Sequence, residues 1–295
     1  MNEKEIAEIR RRFNPQKTNI TKVCGCYVTP SGEIMSEFSQ PLAALTPDET
    51  ENLLSILKKT LSGTVDKNLI DIPFSNAQVL EGEEHKTLMR LRDSALCDEE
   101  ALKRVYSAII SSVREETNYL ILLAFDSYDV FTYSSDGKKD DESSEQFRYF
   151  VCCVCPVKLT KPLLSFEAFD NAFHGITSVS AVSAPEFGFM FPSFDDRTGN
   201  IYDVMFYSKN PARDYSEISD KLFKADMPMP AVRQQESFCE MLEASVGEEC
   251  SLDVIQAVQD RINDIAEENK ENRDREPVTV TKNDISQVLR SCDVT

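Results

Sequence analysis

The chain has 295 residues, of which 41% are hydrophobic and 28% are charged. These proportions are typical of a soluble globular protein, and the length allows one large domain or two smaller ones. The formal net charge of −19 repels phosphate backbones and anionic lipid heads, which disfavours broad nucleic-acid or membrane-surface binding.

Apolar runs in the sequence are too short to direct the chain into or across a membrane. Met1–Arg12 is rich in charge and lacks the apolar core of a signal peptide. The longest apolar run, Tyr119–Phe125, is far shorter than the ~20 residues that cross a bilayer. We therefore expect a cytoplasmic protein whose nine cysteines are reduced and mostly buried.

The first part of the chain predicts both helices and strands. A helix start is clearest at Thr46, where Pro47 occupies the first turn and Glu49 completes a capping box. The predicted elements are a helix at Glu3–Phe13, a hairpin of Ile20–Val28 and Glu33–Phe38, a helix from Thr46 to Gly63, a strand at Leu69–Phe74, helices at about Ala77–Arg92 and at Asp98–Arg114, and a strand at Asn118–Phe125.

The middle of the chain predicts further strands around a polar segment. Residues 134–146 are acidic and lack periodicity, which predicts a mobile surface loop. A strand is predicted at Phe147–Val157. Two antiparallel strands are predicted at Phe187–Met190 and Ile201–Tyr207, joined by a loop over Pro192–Asn200.

After Pro211 the pattern changes to helices, predicted at Asp214–Lys224, Ala231–Val246, Leu252–Asn269 and from about Thr281 onward. The order of elements is not a regular β-α-β alternation. The predicted fold class is α+β, with an antiparallel or mixed central sheet flanked by helices and a helical C-terminal third. The predicted domains are an α+β domain at 1–212 and a helical region at 213–295 packed on it.

Several enzyme classes lack their usual motifs. His85 and His174 are the two histidines of the chain, and there is no Gly-x-Ser-x-Gly elbow. Neither Gly-x-Gly-x-x-Gly nor a Walker A loop is present, so we predict no cofactor. We expect His85 to be solvated on a helix and His174 to lie at a helix end.

The strongest candidate for a functional site is the turn Asp195-Asp196-Arg197, followed by Asn200. Adjacent carboxylates suit a hard cation, and a guanidinium suits a carboxylate or phosphate. The structural alternative is that Asp and Asn cap the turn, Gly199 supplies a left-handed φ, and Arg197 pairs with Asp195 or Asp196.

A basic run, Arg10-Arg11-Arg12, is the second candidate. Residues 1–24 carry six basic and three acidic side chains, a local charge of +3 in an acidic chain. The run is either a solvated helix end that complements the helix dipole, or a contact for a small anion or an acidic partner.

Four cysteines form a weaker metal hypothesis. Cys152 and Cys155 have C-x-x-C spacing, but residues three apart on a strand point to opposite faces. Cys24 and Cys26 share one face, as do Cys153 and Cys155. The two pairs would form a zinc site only if their strands were neighbours, and buried thiols are the simpler interpretation.

Alternating aromatics mark the strand that precedes the candidate turn, at Phe187, Phe189 and Phe191, with Phe194 beyond it. Such a row is either a core face or a platform on which nucleic-acid bases stack. No basic residues interleave with the rings, which favours the core.

The segment Ala184–Tyr202 resembles a domain-of-unknown-function family found in Firmicutes, many of them gut clostridia. The resemblance implies a bacterial cytoplasmic protein and somewhat longer relatives, and it brings no activity, cofactor or catalytic residue. Other stretches that look like the same family are Glu5–Arg12, Lys58–Gly63, Asn68–Ile72, Asn118–Leu123, Tyr128–Val130 and Cys155–Leu159.

Three functions follow as hypotheses. The first is a non-enzymatic module that binds an unidentified protein partner, in an oligomeric state that the sequence leaves open. The second is a metal-assisted hydrolase that uses Asp195, Asp196 and Arg197. The third and weakest is a nucleic-acid-associated protein that uses the basic N-terminal helix.

Overall fold

The structure, a computed structural model, describes residues 1–133, 139–195 and 197–226, and the single positions 228, 257, 260 and 261. The chain divides into two compact units, Met1–Pro230 and Ala231–Thr295. The helices of the described part are α1 (Glu3–Arg10), α2 (Pro47–Lys59), α3 (Asn76–Glu81), α4 (Glu83–Asp93), α5 (Glu99–Ser112) and α6 (Ser216–Ile218), with a 3-10 turn at Leu42–Ala44 and a π-helical turn at Ser219–Phe223.

The described part of the first unit also contains twelve strands, and the last nine of them follow α5 with no described helix between them. They are β1 (Lys22–Val28), β2 (Ile34–Pro41), β3 (Leu69–Pro73), β4 (Tyr119–Tyr133), β5 (Lys139–Leu159), β6 (Leu163–Glu167), β7 (Ala172–Ile176), β8 (Ser180–Val182), β9 (Phe187–Phe191), β10 (Ser193–Asp195), β11 (Thr198–Asn200) and β12 (Asp203–Ser208).

One large sheet organises this unit, with the strand order β2-β1-β4-β5-β9-β12-β3 and β8 paired to the far end of β5. All of its strand pairs are antiparallel. Two further pairs, β6 with β7 and β10 with β11, form separate two-stranded sheets. The predicted α+β class with an antiparallel sheet is confirmed.

Helices α4, α5 and α6 cover one face of the sheet. Side chains from β1, β4, β5, β9 and β12 meet them in a single buried cluster. The cluster includes Cys26, Ile121, Phe150, Phe189 and Val204 from the strands, and Leu88, Leu91, Val105, Ile109 and Ile218 from the helices.

The opposite face is covered by α1 and α2. Its buried cluster includes Val23, Leu122, Val151, Met190 and Met205 from the strands, and Ile6, Ile9, Leu54 and Leu57 from the helices. Burial of both faces explains why the central strands are continuous apolar runs, since an antiparallel sheet with one wet face alternates apolar and polar residues.

Local sequence signals fix several element boundaries. Thr46 Oγ1 accepts from the Glu49 amide at 3.3 Å, and Glu49 Oε2 accepts from the Thr46 amide at 2.8 Å. This confirms the predicted capping box. Asp98 caps α5 through the Ala101 amide at 3.0 Å, and Gly32 takes a φ of +84° between β1 and β2.

Gly188 allows β9 to lie close to the end of α2. A Cβ at this position would collide with Thr60 and would lie 2.5 Å from the carbonyl oxygen of Cys152. The strand therefore requires glycine for packing, because its backbone approaches both a helix end and a neighbouring strand.

Three predicted elements differ from the observed ones, and the first is the loop predicted over Pro192–Asn200, which contains β10 and β11. The helix predicted over Ala77–Arg92 is divided at Gly82, whose φ of −64° and ψ of 126° are extended. Residues 139–146, predicted within a mobile loop, instead belong to β5, where the ladder with β4 continues through Asp129↔Gln146 and Val130↔Glu145. Backbone pairing extends a ladder without apolar side chains, so periodicity did not reveal it.

The predicted helical C-terminal third lies mostly outside the described residues. Its first predicted helix, Asp214–Lys224, corresponds to α6 and the π-helical turn, with Ile218, Leu222 and Phe223 in the core cluster of α5. The helices predicted at Ala231–Val246, Leu252–Asn269 and beyond Thr281 fall almost entirely outside the described residues, and the boundary after residue 212 stays a prediction.

Candidate functional site

The Asp195–Asn200 turn forms the tip of the β10–β11 hairpin. Asp195 pairs with Thr198, and Arg197 occupies the left-handed region with a φ of 60°. Asp196 lies outside the described residues. The left-handed φ expected at Gly199 falls instead on Arg197, two residues earlier, while Gly199 packs near the Phe147 ring.

Arg197 forms an ion pair with Glu8 of α1. Its Nη1 donates to Glu8 Oε2 at 2.9 Å and its Nη2 donates to Glu8 Oε1 at 3.2 Å. The pairing partner predicted from the sequence was Asp195 or Asp196, and the structure corrects it to Glu8. A two-point contact of this kind orients both side chains, so it fixes the hairpin tip against α1.

Asn200 acts within its own turn. Its Nδ2 donates to Asp203 Oδ2 at 2.6 Å, and its Oδ1 accepts from the Tyr202 amide at 3.0 Å. Burial raises the pKa of Asp203 above its usual value, and the neighbouring Asp71 adds to the effect. Asp195, by contrast, is exposed. The geometry matches the turn-capping interpretation of these residues.

The basic run divides among three environments. Arg10 is half-buried and Arg11 is exposed. Arg12 reaches back to Asp126 of β4, where its Nε donates to Oδ2 at 3.1 Å, and its guanidinium lies 5.0 Å from the centre of the Tyr128 ring. Arg12 is therefore engaged with the fold and is not a free contact for a partner.

Asp126 is the buried centre of this network, with 1% of its side chain exposed. Besides Arg12, it accepts from the Asn19 amide at 3.0 Å and from the Tyr149 hydroxyl at 3.0 Å. Burial, with Asp126 nearby, raises the pKa of Tyr149 well above its usual value, so the phenol remains a donor. A buried carboxylate with this many donors is a stable anchor for the segment after α1.

Arg12 and Arg197 line one cleft of about 480 Å³, and sequence reasoning did not predict that the two candidate sites would meet. The cleft also contains Glu8, Asp129 and Tyr128, whose hydroxyl donates to Glu8 at 3.3 Å. Burial and Glu8 raise the pKa of Tyr128. Two cations and two carboxylates balance along the lining, so the cleft has no net preference for an anion.

The four cysteines of the zinc hypothesis do not converge. Strand β4 lies between β1 and β5, so the strands that carry the two pairs are not neighbours. Cys24 and Cys26 belong to the cluster under α4 and α5, whereas Cys153 and Cys155 belong to the cluster under α1 and α2. Within the described ranges, no three His, Cys, Asp or Glu side chains are close enough to hold a metal ion.

The predicted solvent exposure of His85 and the predicted helix-end position of His174 are both wrong. His85 is on α4 as predicted, but 2% of it is exposed, and it lies against the rings of Phe74 and Phe191. Burial lowers its pKa. His174 lies in β7, not at a helix end, and its Nε2 is 2.7 Å from Asp170 Oδ2. Neither histidine lies beside the Arg12–Arg197 cleft.

An exposed apolar segment was missed by the sequence reasoning. Residues 159–182, here called the apolar arm, run from the end of β5 through β6 and β7 to β8. Seven of the eleven exposed large hydrophobic residues in the described part of the chain lie on it: Leu159, Leu164, Phe166, Phe169, Phe173, Val179 and Val182.

The arm is a two-sided ribbon. Leu164 pairs with Gly175 and Phe166 pairs with Phe173, so these four positions share one face, and the two phenylalanine rings are 5.2 Å apart. The other face carries Ser165 and His174 at its centre, and by register the pair Leu163 and Ile176 and the pair Glu167 and Ala172 belong to the same face. Two short runs rich in apolar residues, separated by the turn-forming pair Asp170-Asn171, were the signal that would have found this ribbon.

Together these features define an α+β protein whose antiparallel sheet is buried on both faces and whose apolar arm is exposed. The chain belongs to the family described as "Domain of unknown function (DUF4317)", whose model matches residues 1–295. This confirms the resemblance to a family of unknown function. A search of curated proteins finds no significant match. In the part of the chain that is described, no helix has both the length and the apolarity needed to span a membrane.

Proposed function

We propose that this protein is a non-enzymatic, intracellular bacterial protein that works by binding another protein through its apolar arm. The observation that carries the proposal is the exposure of Phe166, Phe169 and Phe173, at 56%, 82% and 72%. Exposed phenylalanines in a cluster differ from isolated apolar residues, which are common on any surface.

The exposed patch is large for a monomer. A phenylalanine offers on the order of 200 Å² of surface, so the three rings expose roughly 400 Å². Contiguous patches of about 300–600 Å² are among the largest on soluble monomers and often mark binding sites. The patch also contains Leu164, of which 76% is exposed.

The arm contributes to the fold mainly at its base. There, Val157 to Leu159 pair with β8, and the Thr160 amide donates to the Val179 carbonyl at 2.9 Å. Beyond this point, β6 and β7 pair with each other in a sheet of their own. Two-stranded ribbons are marginally stable alone, and contact with a partner would stabilise this one.

The competing hypotheses lose their best support. A hydrolase that uses Arg197 needs its guanidinium to be available to the substrate. In the structure both Nη atoms of Arg197 already donate to the carboxylate of Glu8. A nucleic-acid contact at the basic N-terminal run loses Arg12, which is engaged by Asp126, and is left with Arg10 and Arg11. Nucleic-acid binding is also opposed by the net charge of −19.

Three further parts of the proposal rest on the sequence alone. We propose a Firmicutes origin from the resemblance, and a cytoplasmic location from the reduced, buried cysteines. We also propose a helical region over 213–295 from its apolar periodicity.

The test compares two faces of the same ribbon. The full chain is purified gently from its native cells as wild type, as Phe166→Ser/Phe173→Ser, and as Ser165→Ala/His174→Gln. Any stoichiometric partner is identified by mass spectrometry and the complex is rebuilt from pure components. We expect the apolar-face variant to weaken the complex at least about tenfold, as for central interface aromatics.

The polar-face variant is the matched control and should bind like the wild type. All four side chains are on the surface ribbon, so each variant should keep the wild-type unfolding midpoint. A rebuilt complex that tolerates the loss of both phenylalanines would remove the arm from the contact and overturn the proposal.

A further inference from the structure

The charges beside the exposed rings of the arm are acidic at its tip. Residues 159–182 contain three charged side chains, namely Lys161, Glu167 and Asp170, if histidine is counted as neutral. Glu167 and Asp170 flank Phe169, the most exposed ring, whereas Lys161 lies before β6. Glu167 is in register with Ala172, on the face opposite Phe166 and Phe173, and Asp170 lies 2.7 Å from His174 Nε2. With that histidine counted as neutral, the tip carries two negative charges, and the chain as a whole is also negative.

A second copy of the chain fits this surface poorly. Two arms in a symmetric contact would bury roughly 800 Å² in total, and stable interfaces bury about 1,200–2,000 Å². Two chains of −19 also repel each other, and their acidic tips would be brought together. The occupant is better sought among molecules of the opposite charge.

A lipid surface fits no better. Segments that lie in a membrane interface place lysine and arginine beside their apolar residues, which attracts anionic head groups. The tip of the arm carries Glu167 and Asp170 instead.

We infer that the apolar arm binds a net-basic protein that presents an apolar surface rimmed by lysine or arginine. This inference rests on the proposed function and specifies its partner. Apolar contact with Leu164, Phe166 and Phe173 supplies affinity, while charge complementarity at the tip steers association and excludes acidic partners. Gly175 leaves the face open beside Leu164, because nothing lies within 4 Å of where its Cβ would be.

The probe is a synthetic amphipathic helical peptide of leucine and lysine, titrated against the intact protein. Its counterpart has glutamate at every lysine position. We expect the lysine peptide to bind at least about tenfold more tightly than the glutamate peptide, and its affinity to fall with added salt. We expect Phe166→Ser/Phe173→Ser to weaken binding about tenfold or more.

A second variant isolates the charge. Glu167→Gln/Asp170→Asn keeps the size of both side chains and removes two negative charges. We expect it to weaken binding of the lysine peptide by roughly threefold to tenfold, mainly through the association rate.

The outcomes separate the inference from the function on which it rests. If both peptides bind equally and the apolar-face variant binds neither, the arm remains a binding surface, but the inference of a basic partner is overturned. Lysine-peptide binding that survives in the apolar-face variant would overturn both. If the protein binds phosphatidylcholine vesicles and the apolar-face variant does not, the occupant of the arm is a membrane. If the protein sediments as a dimer and the same variant sediments as a monomer, the occupant is a second copy of the chain.

Discussion

Phenylalanines lie on strands in two parts of this chain, and their surroundings are opposite. In β9, Phe187, Phe189 and Phe191 are each at most 1% exposed. In the arm, Phe166 of β6 pairs with Phe173 of β7, yet more than half of each residue is exposed.

The difference lies in the neighbours of each strand. β9 lies between β5 and β12, and Phe189 meets the ring of Phe223 at 5.2 Å beneath the helices. Among the strands that the structure describes, β6 pairs with β7 alone. The sequence of a strand thus indicates which side chains share one face, and the order of strands in the sheet decides whether that face is buried.

Replacing one phenylalanine by alanine in each region should give the largest expected difference in the free energy of unfolding. Phe189→Ala should lower the free energy of unfolding by about 3–5 kcal/mol, because it leaves a cavity in a closed core. Phe166→Ala should change it by less than about 0.5 kcal/mol, since its ring is largely in water already. Denaturant unfolding of both variants measures the difference.

A comparable loss in Phe166→Ala would contradict the exposed position of the arm. It would mean that the ribbon is part of the cooperative core, and the comparison between the two regions would no longer hold. A change in the slope of the denaturant transition should be checked first, because it signals an altered unfolded state.

The same contrast is expected for two aspartates of β4. Asp126 is buried among its donors, whereas Asp129 is exposed on the cleft. Asp126→Ala should cost about 2–4 kcal/mol, because Arg12 and the Tyr149 hydroxyl lose their acceptor. Asp129→Ala is the matched control and should cost less than about 0.5 kcal/mol. Equal losses in thermal or denaturant unfolding would argue against Asp126 as the anchor.

His85 gives the smallest effect, and it depends on pH. Its Nε2 lies 2.9 Å from the Ile201 carbonyl, and burial first, with Arg92 adding to it, lowers the pKa of the imidazole. As pH falls, the unfolded chain therefore takes up this proton before the folded protein does. Stability from this group is present above the unfolded pKa of about 6.5 and declines below it.

The measurement is the free energy of unfolding between about pH 7.5 and pH 5.5. One such group changes it by at most about 1.4 kcal/mol for each pH unit. His85→Gln keeps an N–H donor for Ile201 and removes the titration, so the difference between variant and wild type should vary with pH. A constant difference across this range would show that His85 does not titrate differently on folding.

Much of the fold could be predicted because its signals are local. The capping residues at Thr46 and Asp98 depend on hydrogen bonds within one turn, and the apolar run at Tyr119–Phe125 marks a strand buried on both faces. The antiparallel pairing of β9 with β12 also follows from the short connection between them.

The candidate site could not be predicted to the same extent, because its contacts are distant in sequence. Arg197 and Glu8 are 189 residues apart, and Arg12 and Asp126 are 114 apart. A charged side chain has many possible partners in the sequence, and nothing local selects one of them. The partner of Arg197 is decided only when the fold places α1 beside the β10–β11 hairpin. His85 was misjudged for the same reason, because Phe74 and Phe191 come from two other strand ends.

The arm also begins where the central strand β5 ends, so its residues are joined to the most embedded part of the sheet yet touch little of it. Substitutions along its outer face carry almost no penalty for the fold. The surface of the arm can therefore change by single substitutions at little cost to the fold, whereas the buried sheet tolerates few changes.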